Sequence, residues 1–353
     1  MKKKVLCMLL ALCLFASFTL TSYAMLGPID ADDEAELISP TLEVSTVPTG
    51  AVAVARNLTS NETYYYRVNG TILPTSDDGI ISEPGWMPDV ASTNIIIDND
   101  GDEIPEESRT LVSNTQVAPY SAIGLLIIAY ETREKIFIRY GTATMISSNA
   151  AVTAAHCLYN SSLGWPSSVL FVPGINGPSS SPNMPYGFAV AAEIAISTPY
   201  YYDPVYSLHD WGVIRFATNI GNNCGYLGFQ YWHRDMSDFS AMISGYPGDL
   251  NGFDAATETL DFYNQYKAIN IISSDNLGTT TCSNNTTYDW RVFGCLIDAT
   301  SGQSGSPLLY RSSTQDAYQI IGVYIAAIGA NENGCAGLTS QLFSFLFAYK
   351  NNS

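Results

Sequence analysis

From Arg109 onward the apolar positions fall in short runs separated by turn residues. Leu125 to Ala129, Phe137 to Ile146, Val169 to Val172, Val190 to Ile196, Trp211 to Phe216, Tyr266 to Ile272 and Gln319 to Ala326 are rich in β-branched and aromatic residues. Clusters such as Pro173-Gly174-Ile175-Asn176-Gly177-Pro178 divide them. Many short strands at this spacing predict an all-β sandwich or barrel. One segment follows another rule: Leu342, Phe343, Leu346 and Phe347 recur at helical spacing between Thr339 and Lys350, which predicts a C-terminal helix. No repeat of fixed period is visible.

The N-terminus has a different texture. Lys2, Lys3 and Lys4 precede an apolar run from Val5 to Leu20, and Ser22-Tyr23-Ala24 supplies small residues for cleavage. Residues 1–24 therefore read as a secretory signal peptide. No later segment is long and apolar enough to span a bilayer, so no membrane association is expected once the signal is removed. From Met25 to Ser108 carboxylates are frequent and Arg56 and Arg67 are the only cations. The run Asp98-Asn99-Asp100-Gly101-Asp102-Glu103 reads as an exposed linker, because dense like charge opposes a packed core. It lacks the loop-end Glu and flanking helices of a calcium loop. Residues 25–108 are expected to be an acidic pro-region cut near Asp98 to Arg109. Its Tyr64-Tyr65-Tyr66 middle has the makings of a small folded unit that stays attached.

Composition narrows the partners. Hydrophobic residues make up 46% of 353 and charged residues 14%, a globular balance with room for one sizeable domain. The formal charge of −18 argues against nucleic acid, which needs clustered Lys and Arg. Protein or peptide partners remain, with the chain expected to be a monomer. Cys7 and Cys13 leave with the signal, so Cys157, Cys224, Cys282, Cys295 and Cys335 allow at most two disulfides. Cys282 and Cys295 flank one short segment and are the expected pair. No cysteine and histidine spacing suits zinc, and nothing demands a metal or cofactor.

The chemistry-bearing residues are few. Histidine occurs only at 156, 209 and 233. His156 ends the run Thr153-Ala154-Ala155-His156-Cys157, and Asp210 leads into the apolar Trp211-Gly212-Val213-Ile214. Ser304 lies in Gly302-Gln303-Ser304-Gly305-Ser306-Pro307, a glycine-rich turn. A serine hydroxyl needs a base within reach, and the base needs a buried carboxylate to fix its tautomer. The glycines permit backbone angles that aim the N–H groups of Gly302 and Ser304 at one developing oxyanion. The order His, Asp, Ser excludes an α/β-hydrolase, since no histidine follows Ser304. Asp203 is the nearest rival to Asp210.

These two motifs, with Gly245-Tyr246-Pro247-Gly248 and the segment Arg109 to Ile123, resemble the trypsin superfamily and most closely its bacterial glutamyl endopeptidase (V8-like) branch. The resemblance covers residues 109–353 and implies two six-stranded antiparallel β-barrels with the site between them. It implies a serine endopeptidase with His156 as general base, Asp210 as its orienter and Ser304 as nucleophile. Three departures follow. The cysteine that usually accompanies Cys157 would lie near Gly141 to Thr144, and none is there. Gln303 replaces the Asp that pairs with a new N-terminus in the pancreatic enzymes. In the strand holding Tyr324 and Ala326, which the resemblance assigns to the substrate pocket, Tyr324 replaces the branch's carboxylate-binding histidine. Asp298 matches the position of trypsin's basic-selective carboxylate, but the resemblance also includes relatives that cleave after Glu with an Asp there. A hydrogen-bonded structural role is therefore the alternative, and the preferred residue at the cleavage site stays open. The competing class is a protease-like secreted binding protein that has lost catalysis, and the complete set of catalytic residues argues against it.

Overall fold

The computed structural model describes residues 41–70, 80–82, 107–203, 207–282, 285–311, 317–328 and 332–351. The expected signal peptide and the linker at Asp98 to Glu103 lie outside them. The described residues begin with β1 (Thr41–Ser45), β2 (Ala53–Asn57), β3 (Thr63–Asn69), β4 (Ile80–Ser82) and β5 (Thr110–Leu111). Six strands follow: β6 (Ile123–Glu131), β7 (Ile136–Met145), β8 (Ala150–Thr153), β9 (Ser168–Pro173), β10 (Ala189–Ser197) and β11 (Gly212–Phe216). They pair in the order β10-β11-β8-β7-β6-β9, and β9 closes back on β10. The result is a closed six-stranded barrel, filled by side chains such as Leu125, Leu126, Phe171, Ile194 and Val213. Burying each of these stabilises by roughly 1.5–3 kcal/mol.

The second sheet contains β12 (Gly228–Tyr231), β13 (Ser240–Gly245), β14 (Tyr266–Thr281), β15 (Thr287–Cys295), β16 (Pro307–Arg311), β17 (Tyr318–Ala327) and β18 (Asn333–Gly337). The order β16-β13-β14-β15-β18-β17 closes through β16 and β17, giving a second ring of six antiparallel strands. Trp232, Ile243, Phe293, Ile297, Leu308 and Ile321 share its core. The two barrels and the terminal helix agree with the expected fold class. Four α-helices, α1 (Ala155–Leu158), α2 (Thr198–Tyr202), α3 (Gly221–Cys224) and the longer α4 (Ser340–Asn351), and two 3-10 turns, Tyr120–Ala122 and Ser207–His209, complete the described chain. The Thr339 hydroxyl accepts from the N–H of Leu342 at 3.1 Å and caps α4.

Two features depart from simple expectation. The strand predicted over Tyr266 to Ile272 runs on to Thr281 as one arm of a long hairpin. Cys282 sits just past its tip, whereas Cys295 pairs with Ile272 at its base. The expected Cys282–Cys295 disulfide is therefore corrected: residues close around a turn in sequence stand at opposite ends of a hairpin. All five described cysteines are unbridged. Cys335 and Cys295 instead share the second core, where burial and the neighbouring thiol push Cys335 well above its usual range.

The acidic N-terminal segment also has structure. β2 adds to the edge of β10, with Ala53 to Asn57 opposite Glu193 to Ser197, and β3 and β1 follow outward. Alternating small apolar residues make this possible: Ala51, Ala53, Val54 and Ala55 are fully buried. The Tyr288 hydroxyl donates to the carbonyl of Ala51 at 2.8 Å, tying the segment to the second barrel as well.

Gly141 explains the solitary Cys157. A Cβ placed at Gly141 would lie 2.9 Å from Cys157 Sγ and 3.7 Å from Cys157 Cβ. That second spacing suits a disulfide. Gly141→Cys is expected to bridge to Cys157 in oxidising buffer and to stabilise the fold by about 3 kcal/mol, the value for a loop of this size. Thiol titration of the unfolded chain, with and without reductant, and urea denaturation check it.

Candidate active site

Local packing sets each catalytic candidate in place. The buried strand β8 ends at Thr153, whose hydroxyl donates to the Thr142 carbonyl at 2.7 Å. Ala154 and Ala155 are fully buried, so the one-turn helix α1 presses close and presents His156. A Cβ at Gly212 would sit 2.9 Å from Leu158, so a side chain there would displace this helix. Asp210 precedes β11, one of the strands beneath α1, and is almost wholly buried.

The two groups meet directly. Asp210 Oδ2 lies 2.7 Å from His156 Nδ1, and Asp210 Oδ1 accepts from the backbone N–H of His156 at 2.9 Å. This bidentate hold fixes both ring position and tautomer: Nδ1 carries the proton and Nε2 is left as the base. Burial opposes protonation of His156, but the Asp210 carboxylate and the adjacent Cys157 outweigh it and raise the imidazole well above its ordinary value. Asp203 instead caps the C-terminus of α2. His209 has no such role, since burial lowers it to about 4 and keeps it neutral.

Ser304 sits where the barrels meet. Its carbonyl accepts from the N–H of Thr142 on β7 at 2.8 Å, and the N–H of Gly305 donates to the Tyr324 carbonyl on β17 at 2.8 Å. Gly302 and Gly305 have φ of 94° and 83°, a region other residues reach only with strain. A Cβ at Gly305 would lie 2.0 Å from Thr153 Oγ1, and one at Gly302 would lie 2.6 Å from the Tyr246 carbonyl. Only glycine lets this turn lie against both barrels. Among the described residues, the N–H groups of Gly302 and Ser304 donate to no protein acceptor, which suits them to bind an anion. His156, Gly302 and Ser304 line one cleft of about 370 Å³.

The residues expected to shape the substrate pocket have partners of their own. Asp298 is buried but not free: its Oδ2 lies 3.3 Å from Arg109 Nε and accepts from the N–H of Ser108 at 3.3 Å. Arg109 also pairs with Glu107 at 2.8 Å and Asp249 at 2.7 Å, and donates to Thr300 at 2.7 Å. Burial raises Asp298 against the opposing pull of Arg109. Tyr324 is buried and its hydroxyl lies 3.4 Å from the Ala299 carbonyl and 3.3 Å from Asn333 Oδ1, two acceptors for its one proton. Ala326 is exposed beyond the β-bulge in β17. None of these three lines the cleft shared by His156 and Ser304. Sequence reasoning missed the Arg109 cluster, whose members lie as far apart as residues 107 and 300. The one available signal was a lone cation at the end of an acidic stretch.

Two β-barrels with a histidine–aspartate pair and a glycine-framed serine at their junction define the chymotrypsin-like class. Residues 129–346 match the Trypsin family model, and the chain belongs to that family. It is 29% identical over 259 residues to a glutamyl endopeptidase of Bacillus licheniformis, across 71% of this chain and 69% of that protein. It is 26% identical over 243 residues to an extracellular metalloprotease of Bacillus subtilis (strain 168), across 68% of this chain and 67% of that protein. A solved Glu endopeptidase structure, in complex with MPD, superimposes with a TM-score of 0.54 at 27% identity, covering 71% of this chain and 100% of that one. The chain is a serine endopeptidase. The second relative's name refers to a metal, but among the described residues no three His, Cys, Asp or Glu side chains are grouped to hold an ion. No described helix is long and apolar enough to cross a membrane.

Proposed function

We propose that the chain is a secreted serine endopeptidase, made as a proenzyme, in which His156, Asp210 and Ser304 form the catalytic triad. The observation that carries this reading is the bidentate hold of Asp210 on His156, facing the cleft that Ser304 also lines. His156 Nε2 takes the proton of Ser304 Oγ as that oxygen attacks the peptide carbonyl carbon. The carbonyl oxygen becomes an oxyanion held by the N–H groups of Gly302 and Ser304. The tetrahedral intermediate collapses as the C–N bond breaks, and the imidazolium returns its proton to the leaving amine. Water, deprotonated by the same imidazole, then splits the acyl ester and restores the Ser304 hydroxyl. Labelling of Ser304 by a serine-directed phosphonate tests the reading, and no labelling of the processed protein would favour the inactive binding-protein class.

The acidic segment is assigned as a pro-region cut between residues 98 and 109, with residues 41–69 held on the mature domain by the β2–β10 pairing. On the acyl side, Asp298 is already engaged by Arg109 and the N–H of Ser108, so we do not assign it to bind a substrate cation. Peptides with Arg or Lys at the cleaved position are therefore expected to show no advantage in kcat/KM over matched Glu, Phe or Leu peptides. A basic preference exceeding about tenfold, the least expected of a buried charge-assisted pair, would return Asp298 to the pocket base.

A further inference from the structure

The cleft beside Ser304 contains a cation that the catalytic reading does not use. Thirteen described residues line it, and none of them is a carboxylate. Apart from His156, the one basic side chain among these described residues is Arg139. Among the described residues the Arg139 guanidinium has no ion-pair or hydrogen-bond partner, although the chain carries a formal charge of −18. It is exposed on β7, directly opposite Ile128 of β6, which also lines the cleft. Tyr130, Tyr140 and Tyr159 surround the same space.

The side of the scissile bond follows from the strands that flank Ser304. β17 holds one flank through the Gly305–Tyr324 hydrogen bond, and β7 holds the other through Thr142 and the Ser304 carbonyl. His156 lies on the β7 flank, where a Cβ at Gly141 would meet both Cys157 and the Ser304 carbonyl. The histidine must deliver its proton to the departing amine, so the leaving peptide runs along this flank. Residues two apart in a strand share a face, so Arg139 stands about 7 Å along β7 from Gly141 on the same side.

We infer that Arg139 makes a leaving-side subsite that selects substrates with a carboxylate at the first or second residue after the cleaved bond. The inference rests on the endopeptidase reading above. A guanidinium in a half-open, tyrosine-walled cleft recognises a carboxylate by paired hydrogen bonds as well as charge.

The test uses the processed full chain and C-terminally amidated peptides that are identical on the acyl side and carry Glu, Gln or Lys at those positions. Amidation leaves the side chain as the only leaving-side carboxylate. At low salt the wild type is expected to favour Glu over Gln by about fivefold in kcat/KM, with Lys below Gln. The ratio should approach one in 1 M salt, where the Debye length is about 3 Å. It should approach one in Arg139→Gln, invert in Arg139→Glu and survive in Arg139→Lys. Because each ratio is read within one enzyme, a smaller folded fraction does not alter it. A wild-type ratio near one at low salt, or a preference that persists in Arg139→Gln, would overturn the inference. Failure of the wild type to cleave any peptide would overturn the endopeptidase reading and this subsite with it.

Discussion

Replacing Ser304 by Ala is expected to lower kcat by roughly 10⁶-fold, and adding His156→Ala to it should cost almost nothing more, because the two groups act as one unit. Asp210→Asn is expected to cost roughly 10⁴-fold, since an amide donor facing His156 Nδ1 favours the wrong tautomer. The pH dependence separates these effects. His156 is a base only when neutral, and Asp210 raises its protonation range above the ordinary value. In the wild type kcat/KM should therefore be low in acid, climb through an ionisation displaced upward from 6.5, and then level off. In Asp210→Asn that ionisation should move to lower pH. Steady-state kinetics on one peptide between pH 5 and 9 would show this. Full activity in Ser304→Ala would refute the nucleophile assignment, and an unmoved profile in Asp210→Asn would refute the orienting role.

Glu193→Ala is expected to destabilise the protein by about 3–5 kcal/mol, the cost of leaving several buried polar groups without their charged partner. Glu193 is buried on β10 and accepts from three phenols. The Tyr349 hydroxyl donates to Oε1 at 2.8 Å, and the Tyr66 hydroxyl lies 3.1 Å from each carboxylate oxygen. Tyr64 donates to Oε2. Burial raises Tyr64, Tyr66 and Tyr349 above the usual phenol range, so all three stay protonated donors. Two of them come from the N-terminal segment and the third from α4. The carboxylate therefore joins the segment, the first barrel and the terminal helix. After the linker is cut, residues 41–69 should co-elute with the wild-type domain and separate from it in Glu193→Ala. Urea denaturation and size-exclusion chromatography with mass analysis give the two readouts. Loss of the segment from the cut wild type would show that strand pairing does not retain it. Tyr349→Phe, which removes one donor, should cost only about 1 kcal/mol.

The barrel strands were legible wherever β-branched and aromatic residues form uninterrupted runs, as in β6, β9 and β11. β18 was not, because Asn333-Gly334-Cys335-Ala336-Gly337 has the composition of a turn. It is a strand because it lies between β15 and β17, where space is short: a Cβ at Gly337 would come within 2.6 Å of Phe293. β1 to β3 were hidden for another reason. The acidic composition of residues 25–108 is an average, and it conceals the buried Ala51 to Ala55 run within it.

The sequence by itself determined the chemistry available. With three histidines, one glycine-framed serine and the order His, Asp, Ser, the nucleophile and base could be chosen because a serine needs a base and an anion site needs free N–H groups. It also determined the β character of the domain and its terminal helix, since both are written in local periodicity. The tertiary structure decided which carboxylates are free and which are engaged. Asp210 rather than Asp203 reaches His156, Arg109 occupies Asp298, and Cys282 and Cys295 are held apart by the hairpin that joins them. It also left Arg139 in the cleft that Ser304 lines, with no carboxylate partner among the described residues. Pairings between residues 54 to 190 positions apart depend on how two closed barrels face each other, and a charge's role depends on its neighbours across that junction.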